Sequence, residues 1–252
     1  MTEMLREDPR ISIVTVTYDS ADTIDDTIRS VLGQTYKPYE YIVIDGGSTD
    51  RTLSIIDGYR EEFDKKGIIL RITSEPDNGI YDAMNKGVTK ADGDIVGIIN
   101  SDDWYEADAL AVVADTYKKT PFDLFYADVR MILPDGRSFI KHSRNRKYAT
   151  SRDWNHPTTF ITKEMYDKYK YRTDTIHDDY DLILRLKHAG ARVVVVNKVL
   201  ADFRMNGTSH KRSPAAALSS IRVKYGIYRQ NGYSRLYLFE CILVEAGKLV
   251  IG

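Results

Sequence analysis

Asn100-Ser101-Asp102-Asp103-Trp104 follows directly on the apolar run Ile95-Val96-Gly97-Ile98-Ile99. Two neighbouring carboxylates repel each other, and a divalent cation is the simplest relief. Hard cations such as Mg²⁺ take one or two carboxylates and complete their shell with substrate phosphate oxygens. The apolar run reads as a buried β-strand, and open α/β sheets bind ligands beyond the carboxyl ends of their strands. The pattern points to a metal site for a phosphate-bearing substrate. Taken alone, the pair also fits a solvated turn that caps the next helix.

Other segments offer complementary chemistry. Tyr18 can stack on a base, and Asp45 can accept a hydrogen bond from a base or ribose. Gly46 and Gly47 let a ligand approach the backbone. No Gly-x-x-x-x-Gly-Lys-Ser/Thr is present, which argues against a P-loop. Tyr18-Asp19-Ser20 occupies the place where a dinucleotide fold would carry its glycine-rich turn. The run Glu75-Pro76-Asp77-Asn78-Gly79-Ile80-Tyr81-Asp82-Ala83-Met84-Asn85-Lys86-Gly87 is dense in polar groups. Asp77 or Asn78 can cap its helix, and Asp82 and Asn85 share a helical face. Farther along, His177-Asp178-Asp179-Tyr180-Asp181 stands at a helix start. Carboxylates are favoured there by the dipole, yet crowded acids also suit proton abstraction. Trp154 and His156 form a candidate acceptor surface, since aromatic faces suit sugars.

These residues need a scaffold, and the first 130 positions supply an alternating one. Strands are expected at Ile11–Thr17, Tyr41–Asp45, Ile68–Thr73, Asp94–Asn100 and Phe122–Ala127. Helices are expected from Ser20 to about Gly33, from Thr49 to about Phe63, over Ile80–Lys90 and over Glu106–Lys118. This rhythm predicts an α/β fold, a mostly parallel sheet with helices on both faces. It carries Thr17-Tyr18-Asp19, Asp45-Gly46-Gly47 and Asn100–Asp103 to one rim. The second half reads as a hairpin over Val129–Ile140, a helix over Asp178–Ala189, a strand over Arg192–Val196, and helix from Lys211 broken near Asn231-Gly232. Residues 10–128 form the nucleotide-sugar half and 129–210 the acceptor half of one domain, with 211–252 a C-terminal helical extension.

Of 252 residues, 42% are hydrophobic, enough for a sizeable core, and the formal charge of −1 gives no global attraction to nucleic acid. Cys241 is alone, so no intramolecular disulfide forms, in keeping with a reducing cytoplasm. Met1–Arg10 is polar and unlike a signal peptide. No apolar run reaches the roughly 20 residues of a bilayer span. The basic stretch Lys141, Arg144, Arg146, Lys147 fits either an anionic lipid or carrier pyrophosphate, or a solvated loop. The tail Tyr233–Ile251 fits a membrane surface, a homodimer contact or the completion of the core. The expected location is cytoplasmic, with peripheral contact at the inner face of the cell membrane.

Taken together, the segments resemble family-2 glycosyltransferases of the GT-A fold, of the bacterial polysaccharide-biosynthesis type. Ser12–Tyr18 resembles the family's opening strand, and Ser30-Val31-Leu32-Gly33-Gln34-Thr35-Tyr36 its first helix end. Glu40–Asp50 resembles the second strand and turn, Glu75–Gly87 a bacterial subgroup motif, and Asn100–Trp104 the DxD element. Asp178-Asp179-Tyr180-Asp181-Leu182 resembles the region of the catalytic base. The resemblance extends to about Ser209.

The resemblance implies an inverting transfer from a nucleotide-diphosphate sugar, a UDP-sugar first among them, to a glycan or lipid-carrier-linked glycan. Asp102 and Asp103 would hold Mn²⁺ or Mg²⁺, with Asp103 the direct ligand. Thr17, Tyr18, Asp45, Asp77, Asn78, Asp82, Asn85, Asn100, Ser101 and Asp102 would contact the donor. Asp179 would be the general base, Asp178 would orient it or the acceptor, and Trp154 and His156 would meet the acceptor. Three positions depart from the usual pattern: Asn100 and Gly46 where many relatives carry Asp, and Asp178 where Glu is more usual. A nucleotidyltransferase or a non-catalytic nucleotide-sugar- or glycan-binding module would use some of the same features. The first would need a glycine-rich phosphate loop, and the second has no use for a positioned base.

Overall fold

The structure, a computed structural model, describes residues 8–205 and 214–250. The Asn206-Gly207-Thr208 sequon and the remainder of the segment 206–213 lie outside them. Among the described residues, nine strands form one sheet.

Four parallel strands come first: β1 (Ile11–Thr17), β2 (Glu40–Asp45), β3 (Ile69–Ser74) and β4 (Ile95–Ile98), in the order β3-β2-β1-β4. β1, β2 and β4 are buried along their whole length because both faces are covered, and β3 at the edge is only partly buried. Ile11 and Ile13 of β1 join Tyr41 and Val43 of β2 on one side, while Val14 and Val16 join Ile42 and Ile44 on the other. The first side is covered by α1 (Ile24–Leu32), α2 (Thr52–Asp57), α3 (Arg60–Lys66) and α5 (Ala109–Lys119). The second is covered by α4 (Ile80–Lys90), α6 (Lys163–Lys168), α7 (Asp178–His188), α8 (Pro214–Gln230) and α9 (Tyr237–Val250). A Cβ on Gly87 would lie 2.3 Å from Val14 Cγ1, so glycine is what lets α4 sit this close to the sheet.

The sheet continues through β8 (Phe160–Thr162), β6 (Leu124–Ile132) and β9 (Val193–Arg204) to the two-residue β5 (Trp104–Tyr105). β6 also forms the expected hairpin with β7 (Ser138–Lys141). β8 is antiparallel to both β4 and β6, whereas β6 and β9 are parallel. The carboxyl ends of β1 to β4, β6 and β9 therefore point the same way.

Several expectations shift. The helix expected over Thr49–Phe63 is two helices, broken at Gly58-Tyr59. Glycine is a poor helix former, and Tyr59 turns inward to bond Asp25. The first helix starts at Ile24 rather than Ser20, whose carbonyl accepts the Thr23 and Ile24 N–H groups. β6 runs five residues past its expected end, and β9 runs to Arg204 rather than Val196. Strands β5 and β8 and helix α6 are additional.

Candidate active site

Asp19 sits in the left-handed region at φ 45°, which aspartate tolerates better than most residues. Its N–H donates to Ser48 Oγ at 2.8 Å, and its Oδ1 accepts the Thr49 N–H at 2.8 Å. Asp19 thereby joins the loop after β1 to the loop after β2. Tyr18 beside it is held outward, 62% exposed. Asp45 is fully buried. Its carboxylate accepts Gly47 N–H at 3.1 Å, Ser48 N–H at 3.0 Å, Ser74 Oγ at 2.6 Å and the Ser48 hydroxyl. It is spent on its own turn. Thr17 is buried too, with an Oγ1 that meets no partner.

Gly46 explains the missing second acid. A Cβ there would lie 2.7 Å from Asp77 Oδ2 and 3.4 Å from Tyr18 Cδ2. The Asp77 carboxylate thus occupies the space above Gly46 and shares one surface with the Tyr18 ring. Asp77 is fixed by the Gly79 N–H at 2.8 Å, and Gly79 turns at φ +108°. Asn78 leaves its side chain exposed while its N–H donates to Asp82 Oδ2 at 3.0 Å. That bond, with the Lys86 ammonium, holds the Asp82 carboxyl below its ordinary range. Asn85 gives both ends of its carboxamide to the Tyr171 backbone, at 2.9 and 3.0 Å. Asp82 and Asn85 therefore brace the loop, and Asp77 and Asn78 present its surface.

At the end of β4, Ser101 Oγ meets Ser20 Oγ at 2.8 Å, and Thr27 Oγ1 donates to the Asp103 carbonyl at 2.6 Å. β5 pairs with Asp202 and Ala201 of β9, which brings the Arg204 N–H within 3.1 Å of Asp103 Oδ1. Asp103 is 0% exposed, and its Oδ2 is buried without a partner, as is Asn100 Oδ1. Burial first, and then the neighbouring Asp102 charge, push the Asp103 carboxyl well above its ordinary range; burial raises Asp102 as well. Arg204 stacks over the Trp104 ring at 4.5 Å and pairs with Asp26, so it offsets this charge only in part.

The donor set suits a hard cation: carboxylate and carboxamide oxygens, two of them orphaned. No group of three His, Cys, Asp or Glu side chains gathers among the described residues. A metal here would need ligands from a substrate diphosphate. Asp102, only half-buried, is the carboxylate that faces outward, whereas Asp103 faces β9.

The Asp178 carboxylate is buried and accepts the Asp174 N–H at 2.7 Å, the Thr175 N–H at 3.0 Å and Thr175 Oγ1 at 2.6 Å. It closes the turn before α7. Asp179, the next residue, is half-buried and accepts the N–H of Tyr180 at 2.7 Å. Its charge is felt by Tyr81, His156 and Tyr171: burial and Asp179 together raise the Tyr81 hydroxyl. Tyr81 lies two residues after Gly79, in the first turn of α4, so Asp179 borders the Asp77–Gly79 loop. Burial lowers the His156 imidazole, Asp179 opposes that shift, and Nε2 has no partner. Trp154 is buried, parallel to Tyr180 at 6.3 Å and edge-on to His156 at 6.5 Å. It packs behind His156 and presents no open face.

The sequence assigns no functional role to Arg204, Asp19 or Tyr81, and marks Ser20 only as a helix start. Nothing local signals that β9 carries Arg204 to Asp103.

An uncharacterised glycosyltransferase of Mycobacterium tuberculosis is 30% identical over 230 residues, 88% of this chain and 85% of its own. Staphylococcus aureus TarS 1–349, solved with UDP-GlcNAc, superposes with TM-score 0.66 at 18% identity, covering 95% of this chain and 72% of that one. A Pyrobaculum calidifontis mannosyltransferase, solved with GDP-Man and Mn²⁺, gives 0.65 at 17% identity, covering 97% and 75%. These folds are GT-A folds, and so is this one. Glycosyl transferase family 2 matches residues 12–180, and with that match the chain belongs to this family.

Proposed function

We propose that the chain is an inverting, metal-assisted glycosyltransferase that moves a hexosyl group from a nucleotide-diphosphate sugar to a hydroxyl of a glycan or lipid-carrier-linked glycan. A UDP-sugar is the donor that the sequence resemblance favours. The observation that supports the reading is the pair of orphaned oxygens at the carboxyl end of β4. These oxygens, of Asn100 and Asp103, lie beside half-buried Asp102, and the half-buried Asp179 carboxylate accepts the Tyr180 N–H and acts on Tyr81 of α4.

Tyr18 stacks on the base, Asp77 and Asn78 receive nucleoside or sugar N–H and O–H groups, and Asp45 and Thr17 fix the turn beneath. Asp102, with Asn100, would hold Mn²⁺ or Mg²⁺, which would supply positive charge for a departing diphosphate, and Asp103 positions that strand end. Asp179 takes the proton from the acceptor hydroxyl as that oxygen attacks the anomeric carbon opposite the leaving group, and one displacement inverts the centre. His156, backed by Trp154, meets the acceptor, and Asp178 keeps the helix start in place.

The test is Asp179→Asn. Transfer should fall at least about 10³-fold, while nucleotide-sugar binding with Mn²⁺, followed by titration calorimetry, stays within about twofold. Undiminished transfer by a variant of matched melting temperature overturns the assignment of the base.

A further inference from the structure

The last helix has its polarity reversed. α9 turns Tyr237, Cys241 and Glu245 toward the body of the protein. Both acids of this region go inward: Glu245 is buried against Lys224 at 2.7 Å, and Glu240 accepts the Tyr228 hydroxyl at 3.2 Å. The outward face carries Leu236, Phe239 and Leu243, 70, 64 and 73% exposed, with Ile242 beside them. The spacing of three and four places them along one stripe. A helix that faced only water would put these residues the other way round, and a contiguous exposed apolar stripe marks an interaction surface.

Basic side chains lie near the start of this stripe. Arg229 at the end of α8, Arg235 in the turn before α9 and Arg222 on α8 are exposed, whereas Lys224 is buried against Glu245. Where the end of α7 meets the turn between α8 and α9, a cavity of about 270 Å³ is lined by Arg146, Lys147, Lys187 and Tyr233. The Lys187 ammonium lies 5.9 Å from the Tyr126 ring centre, and the Asp153 charge acts on it. Tyr233 stands three residues before Leu236, so the cationic cavity adjoins the start of the apolar stripe.

We propose that the outward face of α9 lies on the surface of an anionic lipid bilayer, its apolar stripe entering the acyl boundary and the basic side chains near its start meeting headgroup phosphates. No helix of the described residues is long and apolar enough to cross a bilayer, and an interfacial helix needs only one apolar face with basic flanks. A second copy of the chain fits less well. A two-fold contact is self-complementary, so these basic side chains would meet their own copies.

Vesicle flotation of the full chain tests this. The chain should float with vesicles of phosphatidylcholine plus phosphatidylglycerol, less with phosphatidylcholine alone, and less again at high salt. Phe239→Ser/Leu243→Ser should weaken binding at least about tenfold. Both residues are exposed, so melting followed by circular dichroism should be unchanged; Leu236→Glu gives a second reading at another position. Flotation with neither vesicle overturns the proposal. So does a wild-type dimer in sedimentation velocity that the double variant turns into monomer. Donor titration on the same samples reads the active site separately, because none of these three residues lies there.

Discussion

Gly46→Ala isolates the donor surface from the rest of the fold. The new Cβ would stand 2.7 Å from Asp77 Oδ2 and 3.4 Å from Tyr18 Cδ2. The Asp77 carboxylate must retreat by about 0.7 Å to reach ordinary contact. Because the obstructing atom ends a short side chain and Gly46 does not have a positive φ, the cost to folding is small. The loss of one backbone-restricting freedom in the unfolded chain offsets it by about 0.4–1 kcal/mol. The cost to a donor that hydrogen-bonds Asp77 is larger. One such bond to a charged group contributes about 1.5–3 kcal/mol, roughly 10- to 150-fold in Kd. The assay is titration of UDP-sugars and GDP-sugars with Mn²⁺ present, alongside thermal melting. Asp77→Ala should weaken binding by a similar factor, and Gly46→Ala/Asp77→Ala should be no worse than either single change, the signature of one shared interaction. Unchanged affinity in Gly46→Ala at matched stability refutes the placement of the donor over Gly46, Asp77 and Tyr18.

Asp103→Asn should raise the melting temperature of the metal-free protein by a few degrees, since a buried carboxylate beside Asp102 is costly to ionise, while Mn²⁺-dependent donor binding weakens; calorimetric melting in EDTA checks the first part. Asp102→Ala should abolish the Mn²⁺ dependence of donor binding outright, which fluorescence titration of a nucleotide-sugar analogue would show. His156 has a folded pKa lowered by burial. Its contribution to stability is therefore present above the unfolded value of about 6.5 and is lost as pH falls through the folded one. Urea unfolding from pH 7.5 to 5 should show this loss, and His156→Gln should flatten it.

The N-terminal half is legible in the sequence because its strands are buried on both sides. Ile42, Val43 and Ile44 can be read as strand without knowing their partners, and the Gly46-Gly47 turn marks its end. β9 is harder. Its register skips between Ala127–Val196 and Asp128–Val199, so polar Asn197 and Lys198 bulge out of the strand to meet Asp128 and Asp108. A periodicity argument stops there and loses Arg204. β5 and β8 are too short to show any period. At the site, the acids were visible by type and the resemblance implied their roles, but their partners were not legible: the Asp174 and Thr175 groups that bond Asp178 and the β9 backbone that buries Asp103 come from the fold.

The bond between the Asn85 carboxamide and the Tyr171 backbone has an evolutionary consequence. It makes the helix behind the Asp77–Gly79 loop and the segment that leads to Asp179 one mechanical piece, though 86 residues separate the bonded pair. Exchanging either segment alone between relatives would break the splice, so a chimera meant to change sugar preference has to transplant both stretches together.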